Sequence, residues 1–239
     1  MSIVWQEAII HLKVVMREQS AIFWSYVFPV MLLVLFCSVF ATNPEDSTAL
    51  LAGVICINSM TGALYGVGLS MVVLRENKIL RRYKVAPVPL WKVALGLCLS
   101  QVVITGLTTV LLVIVAKIFY KVVLPDSLGA FAVVFIAGTF MFCAIAFVIA
   151  SIARSGHQAS GLTQVIFMPM MFLSGATMPF EAMPIWIQKI ALVLPATYYV
   201  MGLREVFSTQ SQVGLNNLAI MGVFSFLAIL VSVKFFRWE

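Results

Sequence analysis

Side chains able to carry chemistry are few in this sequence and far apart. Ser174 precedes Gly175 and could act as a serine nucleophile, and His11 and His157 are the only histidines available to activate it. The apolar segments predict both histidines at one face of a membrane and Ser174 near the other, so a Ser–His pair is geometrically implausible. We interpret His11 as a surface residue without a partner. No G-x-x-x-x-G-K-[ST] loop is present to cradle ATP phosphates, so ATP-driven work needs another polypeptide.

The sequence also gives little support for metal binding or redox chemistry. The four cysteines lie in four different apolar segments, without pairing or ligand spacing, at Cys37, Cys56, Cys98 and Cys143. This distribution favours buried small side chains over disulfides or metal sites. Intramembrane carboxylate pairs are lacking as well. The sequence therefore predicts no catalytic residue, no metal site and no cofactor in this chain.

Composition indicates the surroundings of these residues. Hydrophobic residues make up 62% of the chain and charged residues 10%, and the mean hydropathy is +1.08. A soluble domain of 239 residues could not hide so much apolar surface. We therefore expect an all-α membrane protein made mostly of spanning helices. The net charge of +6 then reflects topology and requires no nucleic-acid partner.

Six apolar segments are long enough to cross a hydrocarbon core of about 30 Å at about 1.5 Å per residue. They are predicted at 21–41, 50–73, 93–116, 128–152, 159–177 and 215–236. An amphipathic helix at 2–18 is expected to lie along the interface before the first span. Pro29 should kink that span. In the second span, Gly62 and Gly66 have the G-x-x-x-G spacing that permits close helix approach.

Residues 178–207 are apolar but interrupted by prolines and charges. A seventh crossing is possible by length, yet it would place Lys234 and Arg237 outside. Two short re-entrant helices in the outer leaflet fit the prolines, since broken backbone is tolerated where protein or a cavity covers it. With six spans, eleven Lys and Arg residues lie inside and four outside. This bias predicts that both termini are cytoplasmic.

The most basic stretch, 74–92, connects the second and third spans and holds six of the fifteen Lys and Arg residues. On a helix it would have an apolar face and a basic face. The apolar face would carry Ile79, Leu80 and Tyr83, and the basic face Lys78, Arg81 and Arg82. Periodicity is equally compatible with a basic loop held by anionic headgroups and with a short coupling helix pressed against a soluble partner.

Three stretches together resemble the permease subunits of type-2 ABC exporters. The first is Arg17-Glu18 followed by the span with Pro29, and the second is Arg75-Glu76 followed by the basic stretch and Pro87-Val88-Pro89-Leu90-Trp91. The third, at 172–207, reads FLSGATMPFEAMPIWIQKIALVLPATYYVMGLREVF. It is the most specific, with Ser-Gly, spaced prolines, Pro-x-x-Tyr and Gly-Leu-Arg. The likeness covers essentially the whole chain.

The resemblance implies a half-transporter that pairs with a second permease chain, as a homodimer, and with two ABC ATP-binding subunits that bind ATP and Mg. It also implies paired re-entrant helices between the fifth and sixth spans. Closure of the ATPases would act through the loop around Glu76 to switch the dimer between inward- and outward-facing arrangements. Contact with the ATPase is expected at Arg75, Glu76, Lys78, Ile79, Leu80, Arg81, Arg82 and Tyr83.

In such a dimer the fifth spans would face each other across a central cleft, with the second spans beside them. The predicted cargo path is an apolar cavity lined by Asn58, Phe167, Met171 and Phe172. An outer gate is expected at Leu173, Ser174, Gly175, Pro179 and Pro195. The alternative is that the same helix face is core packed within one subunit, because apolar stripes are ordinary in helix bundles.

The predicted function is ATP-driven export of a hydrophobic or amphipathic molecule, such as a drug, an antibiotic or a lipid, across the plasma (inner) membrane. Small outer loops and an apolar lining favour such cargo. A polysaccharide or lipid-linked glycan is the alternative, since Tyr198, Tyr199 and Trp186 could stack on sugars. A passive channel or scramblase and a membrane-embedded enzyme are the remaining classes. Transport measured with and without an ATPase partner separates the channel from the exporter.

Overall fold

The computed structural model describes residues 3–78, 89–178, 180, 183–208 and 214–235. All regular structure within these ranges is helical, as the composition predicts. Numbered in chain order, the helices are α1 (Ile3–Arg17), α2 (Gln19–Phe40), α3 (Pro44–Glu76), α4 (Leu90–Tyr120), α5 (Leu128–Ile152), α6 (Gly156–Leu173), α7 (Ile185–Ala191), α8 (Pro195–Phe207) and α9 (Leu215–Phe235).

Five helices of the described part, namely α2, α3, α4, α5 and α9, are long and apolar enough to cross a membrane. A sixth crossing arises if α7 and α8, which meet at 96° across a short break, are counted as one span. The helix at the predicted fifth span, 159–177, is α6, which begins at Gly156, ends at Leu173 and is not among these five. The chain turns at once afterwards, where Gly175 has a left-handed φ of 84°.

The centre of the bundle is α3. Its most apolar window is 78% buried, against 17% for α2 and 11% for α9, and it packs against α2, α4, α5, α6 and α8. The helix begins after Asn43, whose side chain accepts a hydrogen bond of 2.9 Å from the Asp46 backbone N–H. Gly53 lets α3 approach the chain after α6, since a Cβ there would collide with the Ala176 carbonyl.

Successive long helices run in opposite directions, which gives the bundle two ends. The basic end is the one where cationic residues stand at or beside helix termini, among them Arg17, Arg75, Lys92 and Arg154. There Arg75 Nη1 donates to the Ala150 carbonyl at 3.0 Å, which joins α3 to α5. At the opposite end the Tyr120 and Ser38 hydroxyl oxygens lie 3.1 Å apart, which joins α4 to α2.

At the opposite end, the short helices α7 and α8 occupy the region predicted to hold a helix pair at 178–207; residues 179, 181 and 182 lie outside the described residues. Tyr199 anchors α8 and has no solvent exposure. Its ring centroid lies 5.7 Å from that of Phe142, and its hydroxyl lies 3.2 Å from Ser59 Oγ. The ring fills the space beside Gly138, where a Cβ would overlap it.

The interpretation of His11 as a surface residue without a partner is wrong. Helix α1 packs along α4 at Gly96, where the missing side chain admits the Val4 carbonyl. His11 is half-buried in this contact, and its Nδ1 lies 2.9 Å from Ser100 Oγ. Burial lowers the pKa of His11 below its ordinary value of 6.5, so the ring is neutral at pH 7.

Candidate functional site

At the basic end, α3 finishes in two charged residues that both contact the connection between α5 and α6. Arg75 donates through Nη1 to the Ala150 carbonyl at 3.0 Å and through Nη2 to the Ala153 carbonyl. Carbonyls at a helix C-terminus lack intrahelical donors, and the Arg75 side chain supplies donors for these two. Glu76 Oε2 accepts a 2.9 Å hydrogen bond from the backbone N–H of Gly156, the first residue of α6. Two consecutive residues thus join three helices.

The charges of this dipeptide match the helix ends that they contact. A cation is stabilised at a helix C-terminus and a carboxylate at an N-terminus, because aligned peptide dipoles leave partial charges there. Arg75 meets the C-terminus of α5, and Glu76 meets the N-terminus of α6. These contacts join the end of α3 to the end of α5 and to the start of α6.

Three of the residues predicted to contact an ATPase lie in the described part of the chain, namely Arg75, Glu76 and Lys78. Lys78 follows the end of α3 in the left-handed conformation, with a φ of 58°, which turns the chain away from the helix axis. The other five lie outside the described residues, together with the predicted coupling helix: Ile79, Leu80, Arg81, Arg82 and Tyr83.

A second candidate region is a polar cleft enclosed by α1, α2, α3 and α4. It has a volume of about 270 Å³, and its lining includes Glu18, Asn58, Tyr65 and Gln101. Asn58 is 6% exposed and Gln101 3% exposed. The Asn58 Nδ2 group has no hydrogen-bond partner among the described residues. A buried amide donor without an acceptor is unusual in a folded protein and calls for an explanation.

The first wall of the polar cleft, on α2, departs from α-helical geometry. Residues Phe23–Val27 form a π-helical turn, a feature frequent at functional sites. Its cause can be read from the sequence, because Pro29 has no N–H to donate to the Ser25 carbonyl four residues earlier. The Thr108 hydroxyl of α4 donates to that carbonyl instead, at 2.9 Å. The kink predicted at Pro29 thus takes the form of a π turn tied to α4.

The second wall, on α3, is also π-helical, at Gly62–Gly68. The side facing α4 carries Gly62 and Gly66, and a Cβ at either position would press on the Gln101 amide. The G-x-x-x-G spacing was predicted to permit close helix approach. Here it makes room for a buried polar side chain between two helices.

The four residues predicted to line a cargo path lie in two places. Asn58 borders the polar cleft, whereas Phe167 and Met171 are partly buried against the core and Phe172 is 54% exposed. Tyr65 lies between the two places: it lines the cleft, and its ring centroid is 5.9 Å from that of Phe167. The predicted cargo cavity lies between two copies of the chain. The structure contains a single copy, so this cavity stays a prediction.

Three residues of the predicted outer gate adjoin one another where α6 ends: Leu173, Ser174 and Gly175. The left-handed Gly175 has a φ of 84°, a conformation that favours glycine. Arg204 of α8 fixes this turn by donating from Nη2 to the Gly175 carbonyl at 2.7 Å. Pro195 begins α8, in the first turn where no N–H is required. Pro179 lies outside the described residues.

Sequence reasoning missed most of the polar cleft. Trp24 and Tyr65 read as ordinary members of apolar segments, and Gln101 was not singled out. A signal for Gln101 existed, since a strongly polar side chain within an apolar span marks a functional position by default. The same reasoning was applied to Asn58 in the second span and found a residue that borders the cleft.

Five helices of the described part are long and apolar enough to cross a membrane, and the Arg75-Glu76 dipeptide joins two of them, α3 and α5, to α6. The model of the ABC-2 type transporter family matches residues 3–208. The chain therefore belongs to the ABC-2 type transporter family, which confirms the resemblance carried by its three sequence stretches. Membership implies an ABC ATP-binding partner, and it makes the chain a transport permease rather than a catalyst.

Individual relatives agree with this assignment. YvfS of Bacillus subtilis (strain 168), whose name describes a transport permease, is 24% identical over 242 residues, covering 99% of this chain and 98% of the relative. The inner membrane transport permease YhhJ of Escherichia coli (strain K12) is 29% identical over 164 residues, or 66% of this chain and 43% of YhhJ. YbhR of the same strain, whose name describes a multidrug ABC transporter permease, is 21% identical over 61% of this chain and 40% of YbhR.

Proposed function

We propose that this chain is the membrane-spanning subunit of an ATP-driven exporter for a hydrophobic or amphipathic molecule, such as a drug, an antibiotic or a lipid. Two copies pair as a homodimer in the plasma (inner) membrane, together with two ABC ATP-binding subunits. The basic end and both termini face the cytoplasm, because Lys and Arg resist translocation. Alternating access then moves the cargo outwards.

The observation that carries this proposal is the contact made by Arg75 and Glu76. A soluble ATPase can do work on a membrane bundle only if the loop it pushes is firmly joined to several spans. The loop that follows α3 starts from such a junction, since these two side chains hold the C-terminus of α5 and the N-terminus of α6. A closing motion of the ATPase dimer at this loop therefore moves three helices together.

The coupling role is tested with an Ile79→Asp variant, reconstituted with the ATPase subunit in proteoliposomes. A charge on the apolar face of the basic stretch should abolish cargo stimulation of ATP hydrolysis and ATP-dependent transport. Val123→Asp is the matched control, because it places the same charge on an exposed residue at the opposite end. Normal stimulation and transport in the Ile79→Asp variant would remove the coupling role.

The structure bears on the cargo through three aromatic residues that were candidates for stacking on sugars. Tyr199 is fully buried, and the Tyr198 hydroxyl donates to the Leu192 carbonyl at 2.7 Å. Of the three, Trp186 alone is largely exposed, at 66%. This arrangement favours hydrophobic cargo over a glycan. The choice is tested by measuring ATP-dependent accumulation in inverted vesicles, once with a lipophilic dye and once with a lipid-linked glycan. Transport in the absence of the ATPase would instead indicate a channel.

The orientation is tested by labelling single cysteines with a thiol reagent that does not cross membranes. A cysteine at Lys189 should be labelled from outside only, and cysteines at Arg82 and Trp238 from inside only. Labelling of the Trp238 position from outside would mean that α7 and α8 together cross the membrane and that the six-span topology is wrong.

A further inference from the structure

The polar cleft contains a donor that the protein itself leaves unused. Asn58 is buried, and its Nδ2 lacks a partner among the described residues, while the neighbouring hydroxyls are satisfied within their own helices. Thr61 Oγ1 donates to the Ile57 carbonyl at 2.7 Å, and Thr105 Oγ1 donates to the Gln101 carbonyl at 2.8 Å. A molecule that enters the cleft could satisfy the Asn58 amide if it offers a hydrogen-bond acceptor, such as a carbonyl oxygen.

The described residues that line the cleft carry charge of only one sign. Among the described residues that line it, Glu18 is the only charged one at neutral pH. The other titratable residue of the lining, His11, is neutral there, because burial lowers its pKa. The nearest cations on the same segment, Lys13 and Arg17, are exposed and do not line the cleft. Among the described residues that line the cleft, an ammonium group entering beside Glu18 would therefore meet a carboxylate and no cation.

The walls suit the apolar body of such a molecule. Trp24 and Tyr65 offer aromatic surface, which attracts cations as well as apolar groups. Residues of α2 line the cleft from Ala21 to Ser25, directly after Glu18, so the cleft leads from the basic interface into the bundle. Its volume of about 270 Å³ suits a small amphiphile rather than a whole phospholipid.

We propose that the polar cleft is the loading site for cationic amphiphiles, in which Glu18 receives the ammonium group and Asn58 donates to a carbonyl oxygen deeper in the membrane. This inference rests on the proposed export function, since it names the class of cargo and the place where cargo enters. The Gln101 amide, seated against Gly62 and Gly66, gives the deep end a second polar group. Both π-helical turns contribute residues to the lining of this cleft.

The test measures saturable binding of radiolabelled tetracaine, a tertiary amine with an ester carbonyl, to the permease alone in lipid nanodiscs. Partition into empty nanodiscs is subtracted. Asn58→Leu and Glu18→Gln should each weaken binding about five- to tenfold, as expected for the loss of one hydrogen bond or charge contact. Glu45→Gln is the matched control for charge, because Glu45 is exposed at the opposite end. This variant should bind tetracaine with the affinity of the wild type.

Two further probes assign each contact. Benzocaine has the ester but no aliphatic amine, so its binding should be insensitive to Glu18→Gln. N,N-dimethyloctylamine has the amine but no carbonyl, so its binding should be insensitive to Asn58→Leu. Thermal stability should be preserved in Asn58→Leu, since the Nδ2 group has no partner to lose. A variant that binds normally, or wild-type protein without saturable binding, overturns the proposal.

Because no ATPase is present in this assay, its outcome is independent of the export function. Binding without ATP-driven transport would leave the site in place and remove the exporter. ATP-driven transport of other cargo without tetracaine binding would support the exporter and remove the site.

Discussion

Replacing Gly138 by alanine tests how closely α8 is packed onto α5. An added Cβ at this position would lie 2.6 Å from Tyr199 Cγ and nearer still to two other ring atoms. The ring has little freedom to move aside, because it is fully buried, packs edge-on against Phe142 and has its hydroxyl 3.2 Å from Ser59 Oγ. The substitution must therefore displace α8 or distort α5.

The expected magnitude follows from two opposing effects. Overpacking a core position destabilises by about 1–3 kcal/mol, whereas alanine in place of glycine favours a helix by up to about 1 kcal/mol. The net effect is a loss of roughly 1–2 kcal/mol in the free energy of unfolding. For a protein of this size that corresponds to a fall of roughly 2–8 °C in melting temperature.

The assay uses the four cysteines, which are all buried and unpaired, as predicted. A maleimide that fluoresces on reaction with thiols will report unfolding when the purified protein is heated in detergent. Gly222→Ala is the matched control, because a Cβ at Gly222 in α9 would meet nothing within 4 Å. Its melting temperature should equal that of the wild type or exceed it slightly.

A double-mutant cycle decides whether the ring is the cause. Tyr199→Ala should itself destabilise by about 3–5 kcal/mol. In that background Gly138→Ala should lose its penalty, because residues in contact are not additive. An equal penalty with and without the ring would refute the steric argument, as would a Gly138→Ala protein that melts like Gly222→Ala.

Three further predictions concern other parts of the molecule. Arg75→Gln should lower the free energy of unfolding by about 1–2 kcal/mol, because two charge-assisted hydrogen bonds at a partly exposed site are replaced in part by water. The same melting assay checks this. A melting temperature equal to that of the wild type would show that the two hydrogen bonds do not stabilise the fold. Because burial lowers the pKa of His11, the unfolded chain binds its proton more readily, so stability is complete above about pH 6.5 and falls as the pH drops below that value. The melting temperature of the wild type should therefore be lower at pH 5.5 than at pH 7.5, and the decrease should be smaller in His11→Gln. An equal decrease in both proteins would show that His11 is not the cause. Phe172→Ala should cost much less than the roughly 3 kcal/mol of a core phenylalanine, since the side chain is 54% exposed, yet it should alter cargo affinity. A variant that loses stability but handles cargo normally would mean that Phe172 belongs to the core and not to a cargo path.

The sequence determined the helices, because helix formation in lipid is a local requirement. Each backbone polar group must find its partner within the same segment, so a long apolar run predicts a spanning helix wherever it occurs. The ends were harder to predict, since hydropathy detects only the lipid-facing part. Helix α3 runs over Pro44–Glu76 instead of 50–73, because an Asn43 cap and charged residues at both termini extend it beyond the apolar run.

Asn58 shows how far sequence reasoning reached into the candidate site. A polar residue in an apolar span is conspicuous. Most such residues hydrogen-bond a neighbouring helix, and a contact in a cargo path was the other interpretation of Asn58. The sequence could not show that Asn58 and Gln101 border one cleft, because that depends on how α3 and α4 are rotated against each other. The rotation follows from packing, with Gly62 and Gly66 leaving room for the Gln101 amide.

Only the tertiary structure decided which distant residues meet. Arg75 bonds the Ala153 carbonyl 78 positions later in the chain, and His11 meets Ser100 after 89 positions. Nothing local encodes such pairs: the charge of Arg75 predicts an interfacial residue but not its partner. The partner is set by which helices are neighbours, and this depends on small residues such as Gly96 and Gly138 that let particular helices approach. Local hydrogen bonding therefore fixes where helices form, and close packing between helices fixes what their side chains do.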